Sequence, residues 1–239
     1  MTAHVAAKAS NTRPNGRTQP GPERLTQILS AARSLFERHG YHSTTMQGIA
    51  TQAGMSVGLI YQYAANKQEV LLLVITEILE GYAREVPAAM APHKDPVNRL
   101  AAGFRAYCRV VGQRRDAVVL AYRETRTLNR PGRERLKRLE SATTALLTDE
   151  VREAIDNEIF MPVDSELVAY DLMMLAHGWA LKHWYLAVTQ SLDSYIAFQT
   201  SLVFRSLIRP EKRAGYAHLL EPSNATAISH RRARADGHD

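Results

Sequence analysis

The chain has one cysteine, Cys108, in 239 residues. That excludes an internal disulfide and fits a reducing, cytoplasmic setting. No apolar run reaches the roughly eighteen residues that a membrane helix needs, so no membrane partner is expected. The N-terminus, reading Met-Thr-Ala-His-Val-Ala-Ala-Lys-Ala-Ser, lacks the long apolar core of a signal peptide. The nine histidines are scattered and make no His-Glu-x-x-His pattern, so no metal site and no cofactor is expected. His177 and His183, six apart, fall on different helix faces. Gly-x-Ser-x-Gly, a phosphate-cradling glycine loop and a placed acidic pair are all missing, and no catalytic residue is nominated. Strand-like alternation and internal repeats are missing too, which leaves an all-α fold class.

What is present is ordinary for a globular chain: 45% hydrophobic and 23% charged residues. The length suffices for one large core or two small domains. The net charge of +6 favours polyanionic partners, and it supports nucleic acid only beside a motif.

Such a motif lies at residues 44–69. Thr44 or Thr45 can N-cap a helix whose apolar side is Ile49, Ala50 and Ala53. Gly54 can end it in a left-handed cap. Ser56 can cap a second helix over residues 57–63, with Leu59, Ile60 and Tyr63 inward. Helix, glycine turn, helix is the layout of a helix-turn-helix, whose second helix enters the major groove. The ordered set Thr45, Ile49, Ala50, Ala53, Gly54, Met55, Ser56, Gly58, Ile60, Tyr61, Tyr63, Ala64, Asn66, Lys67, Glu69, Val70 resembles the N-terminal domain of the TetR family of bacterial transcriptional regulators. The match covers residues 24–75. It departs at Ala64, where the family carries a Phe that packs under the recognition helix, and this puts the seating of that helix in question.

The motif chemistry assigns backbone positioning to Thr45, Tyr61, Tyr63 and Lys67, whose hydroxyl and ammonium groups suit phosphate oxygens. Base reading falls to Ser56, Val57 and Gln62, since glutamine can pair bidentately with adenine and a valine methyl can meet thymine's. Gly58 allows close backbone approach. Core packing is the competing role for both tyrosines.

In chain order, residues 1–22 read as a disordered arm, inert or phosphate-tracking. Residues 23–68 read as the DNA-binding domain, opening with a helix over 23–39 whose stripe is Leu25, Ile28, Leu29, Ala32, Leu35 and Phe36. Residues 69–209 read as a ligand-binding and dimerisation domain, and 210–239 as a flexible basic tail. A linking helix over 67–85 should end at Pro87 and Pro92. The family resemblance implies that this helix moves when ligand binds. Further helices are expected over 95–112, 116–128, 134–159, 165–189 and 193–208, with Pro131-Gly132 as punctuation.

One reader covers few base pairs, so a homodimer on a double-stranded palindromic operator is expected. Leu167, Tyr170, Met174 and Leu181, with Tyr195, Phe198, Leu202 and Ile208, offer the surface for a four-helix bundle, unless they belong to the subunit's own core. Residues 103–138 hold eleven basic side chains against three acidic ones. Within it residues 118–128, with the Trp184-Tyr185 pair, are similar to TetR branches that respond to acyl-coenzyme A thioesters. That likeness implies an acyl chain among Phe104, Tyr107, Cys108, Tyr122, Met173, His177 and Trp184, and phosphates near Arg123 and Arg126. An uncharged lipophilic effector is the competing class. The function expected is a small-molecule-responsive repressor. The rivals are a helical enzyme acting on a lipid-like substrate and a non-specific DNA-binding protein.

Overall fold

A computed structural model describes residues 21–221, so the terminal arm and the final basic cluster lie outside the described residues. Within them the chain is helical, with no strand beyond one isolated bridge between Phe160 and Ile208. None of the described helices is long and apolar enough to cross a membrane.

Helix α1 (Pro22–His39) stops at Gly40, whose φ of 78° suits glycine. Helix α2 (Met46–Gln52) is capped by Thr45, whose oxygen accepts the Gly48 N–H at 3.0 Å. Gly54, with φ 65°, makes the turn, and Ser56 caps the short α3 (Val57–Ile60). Asn66 caps α4 (Lys67–Met90) by accepting the Glu69 N–H at 3.0 Å, while the Glu69 carboxylate reaches back to the Ala65 N–H at 2.7 Å. We expect Asn66→Ala to cost about 1 kcal/mol, read as a fall of roughly 3 °C in calorimetric melting temperature.

Pro87 does not end α4. It deprives the Ala83 carbonyl of its helical donor, yet the helix runs on to Met90. Val86 and Met90 are buried on either side of the proline, so packing holds the last turn where propensity would not.

Helix α5 (Pro96–Gln113) follows its Asp95 cap, and α6 (Arg115–Glu124) runs into a 3-10 turn over Thr125–Thr127. Helix α7 (Arg130–Asp156) starts earlier than the sequence suggests. Asn129 caps it by accepting the Gly132 N–H at 2.9 Å, and Pro131 sits in the first turn, where a missing N–H is harmless. The helix expected over 165–189 is two: α8 (Ser165–Leu181) and α9 (His183–Thr189). They break at Lys182, whose φ/ψ of −118°/22° leaves the helical region. Helix α10 (Leu192–Leu207) completes the set expected. The segment after it, read as flexible, is ordered to residue 221. A 3-10 turn (Pro210–Tyr216) and α11 (Ala217–Leu220) bury Leu219 and Leu220. Ser201 Oγ donates to the Leu220 carbonyl at 2.6 Å and Tyr216 to Asp95 at 2.7 Å.

Two cores result. One gathers α4, α5, α7, α8 and α10 around Phe104, Tyr107, Leu147, Leu172 and Phe204. The other is the small core of α1–α3 with the start of α4. It is completed by Leu120, Leu128 and Leu136, which come from α6, the turn after it and α7. Ala64 is enclosed there, and Phe36 packs on Tyr41 at 5.4 Å between ring centroids.

Candidate DNA interface and ligand cavity

The exposed side of α2 and α3 is polar. Thr45, Ser56, Gly58, Tyr61 and Gln62 face solvent, with Tyr61 52% exposed. Nothing lies within 4 Å of where a Gly58 Cβ would sit. Val57 is half-buried against the small core. Tyr63 is half-buried too, and its hydroxyl donates to the Gly21 carbonyl at 3.2 Å, tying the reader to the start of α1. Tyr63 also packs against the small core, whereas Tyr61 does not.

Lys67 corrects the sequence reading. Its ammonium donates to the carbonyls of Tyr41, His42 and Thr44 at 2.8, 2.9 and 2.7 Å. An ammonium has three donors, so all are committed inside the protein. It also sits 4.5 Å from the Tyr41 ring centroid. Lys67 staples the α1–α2 connection and has no proton left for a phosphate.

A cavity of about 440 Å³ opens between α4, α6, α7 and α8. Ile75, Ile78, Leu79 and Tyr82 line it from α4, Val118, Ala121 and Tyr122 from α6, and Leu136 and Glu140 from α7. Tyr170, Met174 and His177 close it from α8, while Arg126, Arg133 and Lys137 supply cations. A second groove, about 490 Å³, runs along α7 and shares Lys137, Glu140 and Tyr170 with the first. A larger surface groove of about 600 Å³ follows α4, α5 and α11 and is walled by alanines, Arg105 and Arg109.

Inside the cavity the polar groups form a chain. His177 takes the Tyr107 hydroxyl on Nε2 at 3.2 Å and the Tyr122 hydroxyl on Nδ1 at 2.8 Å. Burial pushes its pKa down to about 4, so the ring is neutral near pH 7, with one nitrogen donating and the other accepting. Burial pushes the Tyr122 hydroxyl up to about 12 and raises the Glu140 carboxyl above the usual range. Tyr107 stacks on Tyr82 at 4.0 Å with 9° between the planes.

Of the nine residues expected around a ligand, Tyr122, Arg126 and His177 line this cavity. Tyr107 stands one layer behind His177. Phe104, Cys108 and Met173 are core residues, because the α5 stripe and that side of α8 face the helices packed on them. Arg123 is exposed outside the lining. Trp184 is 74% exposed, because the break at Lys182 carries it onto α9 and away from α8. The sequence reading missed the α4 wall, since cavity and core walls are equally apolar. Glu140 did leave a signal: it occupies the inward stripe Leu136, Glu140, Thr143, Leu147, Val151, where a carboxylate is out of place.

One helix serves both regions. Val118 and Tyr122 of α6 line the cavity, while Leu120 of α6 and Leu128 beyond the turn belong to the small core. Glu124, buried at the end of α6, lies 3.7 Å from His42 Nε2 in the α1–α2 connection.

A second face is apolar and uncovered, and it shares Tyr170 and Met174 with the cavity rim. Leu167, Tyr170 and Met174 of α8 and Phe198 and Leu202 of α10 are exposed, as are Trp184, Tyr185 and Val188 of α9. Tyr195 and Ile208, expected on this face, are instead buried in the subunit's own core, and Leu181 is half-buried.

Comparison with known proteins places these features. Residues 28–74 match the model of bacterial regulatory proteins of the tetR family, and residues 93–187 match a tetracyclin repressor-like C-terminal domain. The HTH-type transcriptional regulator HbdR of Aromatoleum sp. (strain CIB) is 36% identical over 206 residues, 86% of this chain and 89% of that protein. The chain belongs to the TetR family. It is therefore a helix-turn-helix DNA-binding transcriptional regulator with a helical ligand-binding domain. Among solved TetR structures, a regulatory protein from Rhodococcus RHA1 superposes with a TM-score of 0.71 at 22% identity, covering 78% of this chain and 98% of that one. AibR, solved with isovaleryl coenzyme A and operator DNA, superposes at 0.66 and 21% identity, covering 76% and 98%.

Proposed function

We propose that this TetR regulator is a cytoplasmic homodimeric repressor, released from a palindromic operator by an acyl-coenzyme A thioester, and not an enzyme. The observation that carries the effector class is the cavity: an apolar interior opening among Arg126, Arg133 and Lys137 and continuing into the polar groove along α7. Such a site suits a ligand with a short apolar head and a long phosphorylated tail, since guanidinium groups bind phosphate bidentately. AibR, which shares the fold, was solved in complex with isovaleryl coenzyme A and operator DNA. The uncovered face of α8 and α10 supports the dimer, because exposed apolar patches of this kind mark interaction surfaces.

In this reading Thr45 and Tyr61 hold phosphates, Ser56, Val57 and Gln62 meet base edges, and Gly58 admits the backbone. Tyr63 and Lys67 position the reader from inside. The ligand acts through α4 and α6, which touch both cores, and it shifts the population toward a state whose two readers no longer match successive grooves.

The test is selection of bound sequences from a random DNA pool at about physiological salt, followed by titration of the recovered operator complex with short acyl-coenzyme A thioesters. The expected result is a palindrome, with release by at least one thioester and by none of the matching free acids. Recovery of no consensus would overturn the regulator mechanism. Release only by uncharged lipophiles would overturn the thioester.

A further inference from the structure

Tyr82 carries a hydroxyl that makes no well-formed hydrogen bond within the protein. The residue is 1% exposed, it lines the cavity from α4, and the group placed to hydrogen-bond its oxygen is the Tyr107 hydroxyl beside it, at poor geometry. It lies beside the Tyr107 hydroxyl in the stacked pair, but Tyr107 is turned to His177. A buried hydroxyl without a well-formed partner is unfavourable, and within a ligand cavity it marks the place of a ligand's polar atom.

Glu140 faces the same space from α7. Its carboxylate is half-buried, has no ion-pair partner among the described residues, and acts electrostatically on Tyr82, Tyr107 and Tyr122. The two groups have complementary needs. Tyr82 has a proton to donate, and an ionised Glu140 can only accept. A hydrocarbon satisfies neither, and a carbonyl satisfies Tyr82 alone. A hydroxyl accepts from one and donates to the other.

Building on the acyl-coenzyme A reading, we propose that the effector's acyl group bears a hydroxyl held by Tyr82 and Glu140, and that these residues discriminate against unsubstituted acyl thioesters. A site built to hydrogen-bond a ligand hydroxyl penalises the analogue without it, because its own buried groups are then stranded.

The test is calorimetric titration of the full chain with hexanoyl-coenzyme A and its 3-, 5- and 6-hydroxy derivatives, repeated with Tyr82→Phe. At least one hydroxy derivative should bind the wild type about tenfold more tightly than hexanoyl-coenzyme A, and in the variant that preference should fall below about threefold. Unliganded Tyr82→Phe should melt at or above the wild-type temperature, since only a poorly paired group is removed. Equal affinity for plain and hydroxylated thioesters, or a preference that survives Tyr82→Phe, overturns the proposal and leaves the thioester reading standing. A melting temperature several degrees lower in the unliganded variant overturns it as well, by showing that the hydroxyl has a well-formed partner in the free protein. Failure of every thioester to bind removes the acyl-coenzyme A reading and this proposal together.

Discussion

Gly58→Glu should lose operator binding by a factor of at least about a hundred while the protein melts no lower than before. The two effects have opposite signs because they come from different sides of one position. Towards the protein there is open space: no atom lies within 4 Å of the place a Cβ would take. Gly58 sits inside α3, where a glycine is about 0.5–1 kcal/mol less favourable than a residue with a side chain. Replacement therefore costs the fold nothing. Towards DNA, the added side chain fills the space that lets the helix approach, and its carboxylate meets a surface carrying one negative charge per roughly 1.7 Å. Gly58→Ala separates size from charge and should retain most of the affinity. The measurement is a fluorescence binding titration beside a calorimetric melt. Unchanged affinity in Gly58→Glu would remove α3 from the interface.

Lys67→Met should destabilise the protein by about 3–5 kcal/mol and lower its melting temperature by roughly 10 °C. Each of its three bonds is charge-assisted, worth about 1.5–3 kcal/mol alone, and the three are not additive. The variant also takes the ammonium from three carbonyls of the α1–α2 connection, of which Tyr41's keeps the Thr44 N–H at 3.3 Å. Lys67→Arg should not restore stability, because a planar guanidinium cannot converge three donors on carbonyls grouped around one point. This separates the internal staple from a phosphate contact. A phosphate-binding lysine, once replaced, would weaken DNA affinity at nearly constant melting temperature.

Local chemistry was legible wherever one residue settles one bond. Thr45 and Ser56 were readable as caps, and each accepts an N–H in the first turn of its helix. Proline was misread in both directions, at Pro87 and at Pro131, because its effect depends on which turn it occupies and on what packs beside it. Lys67 matched its family position yet faces inward, since residue type does not reveal which way an ammonium turns. The cavity was the least legible feature. Periodicity separates inside from outside, but it cannot tell an apolar wall that meets another helix from one that meets a void. Tyr122, Arg126 and His177, named through the family likeness, line the cavity, and the polarity of Glu140 on an apolar stripe was a further signal.

The small core around α1–α3 has a practical meaning for anyone who would build chimaeras from this regulator. Cut at residue 68, the reader would keep its DNA-facing surface but leave behind Val70, Leu71 and Val74 of α4, and also Leu120, Leu128 and Leu136. Those last three lie roughly fifty to seventy residues along the chain from the motif; Leu120 comes from the side of α6 turned from the cavity, and Leu136 belongs to both the small core and the cavity wall. A transplant of the DNA-binding half must therefore bring α4, α6 and the start of α7 with it, or redesign the surface they cover. The natural unit of exchange is the reader together with the inner wall of its sensor.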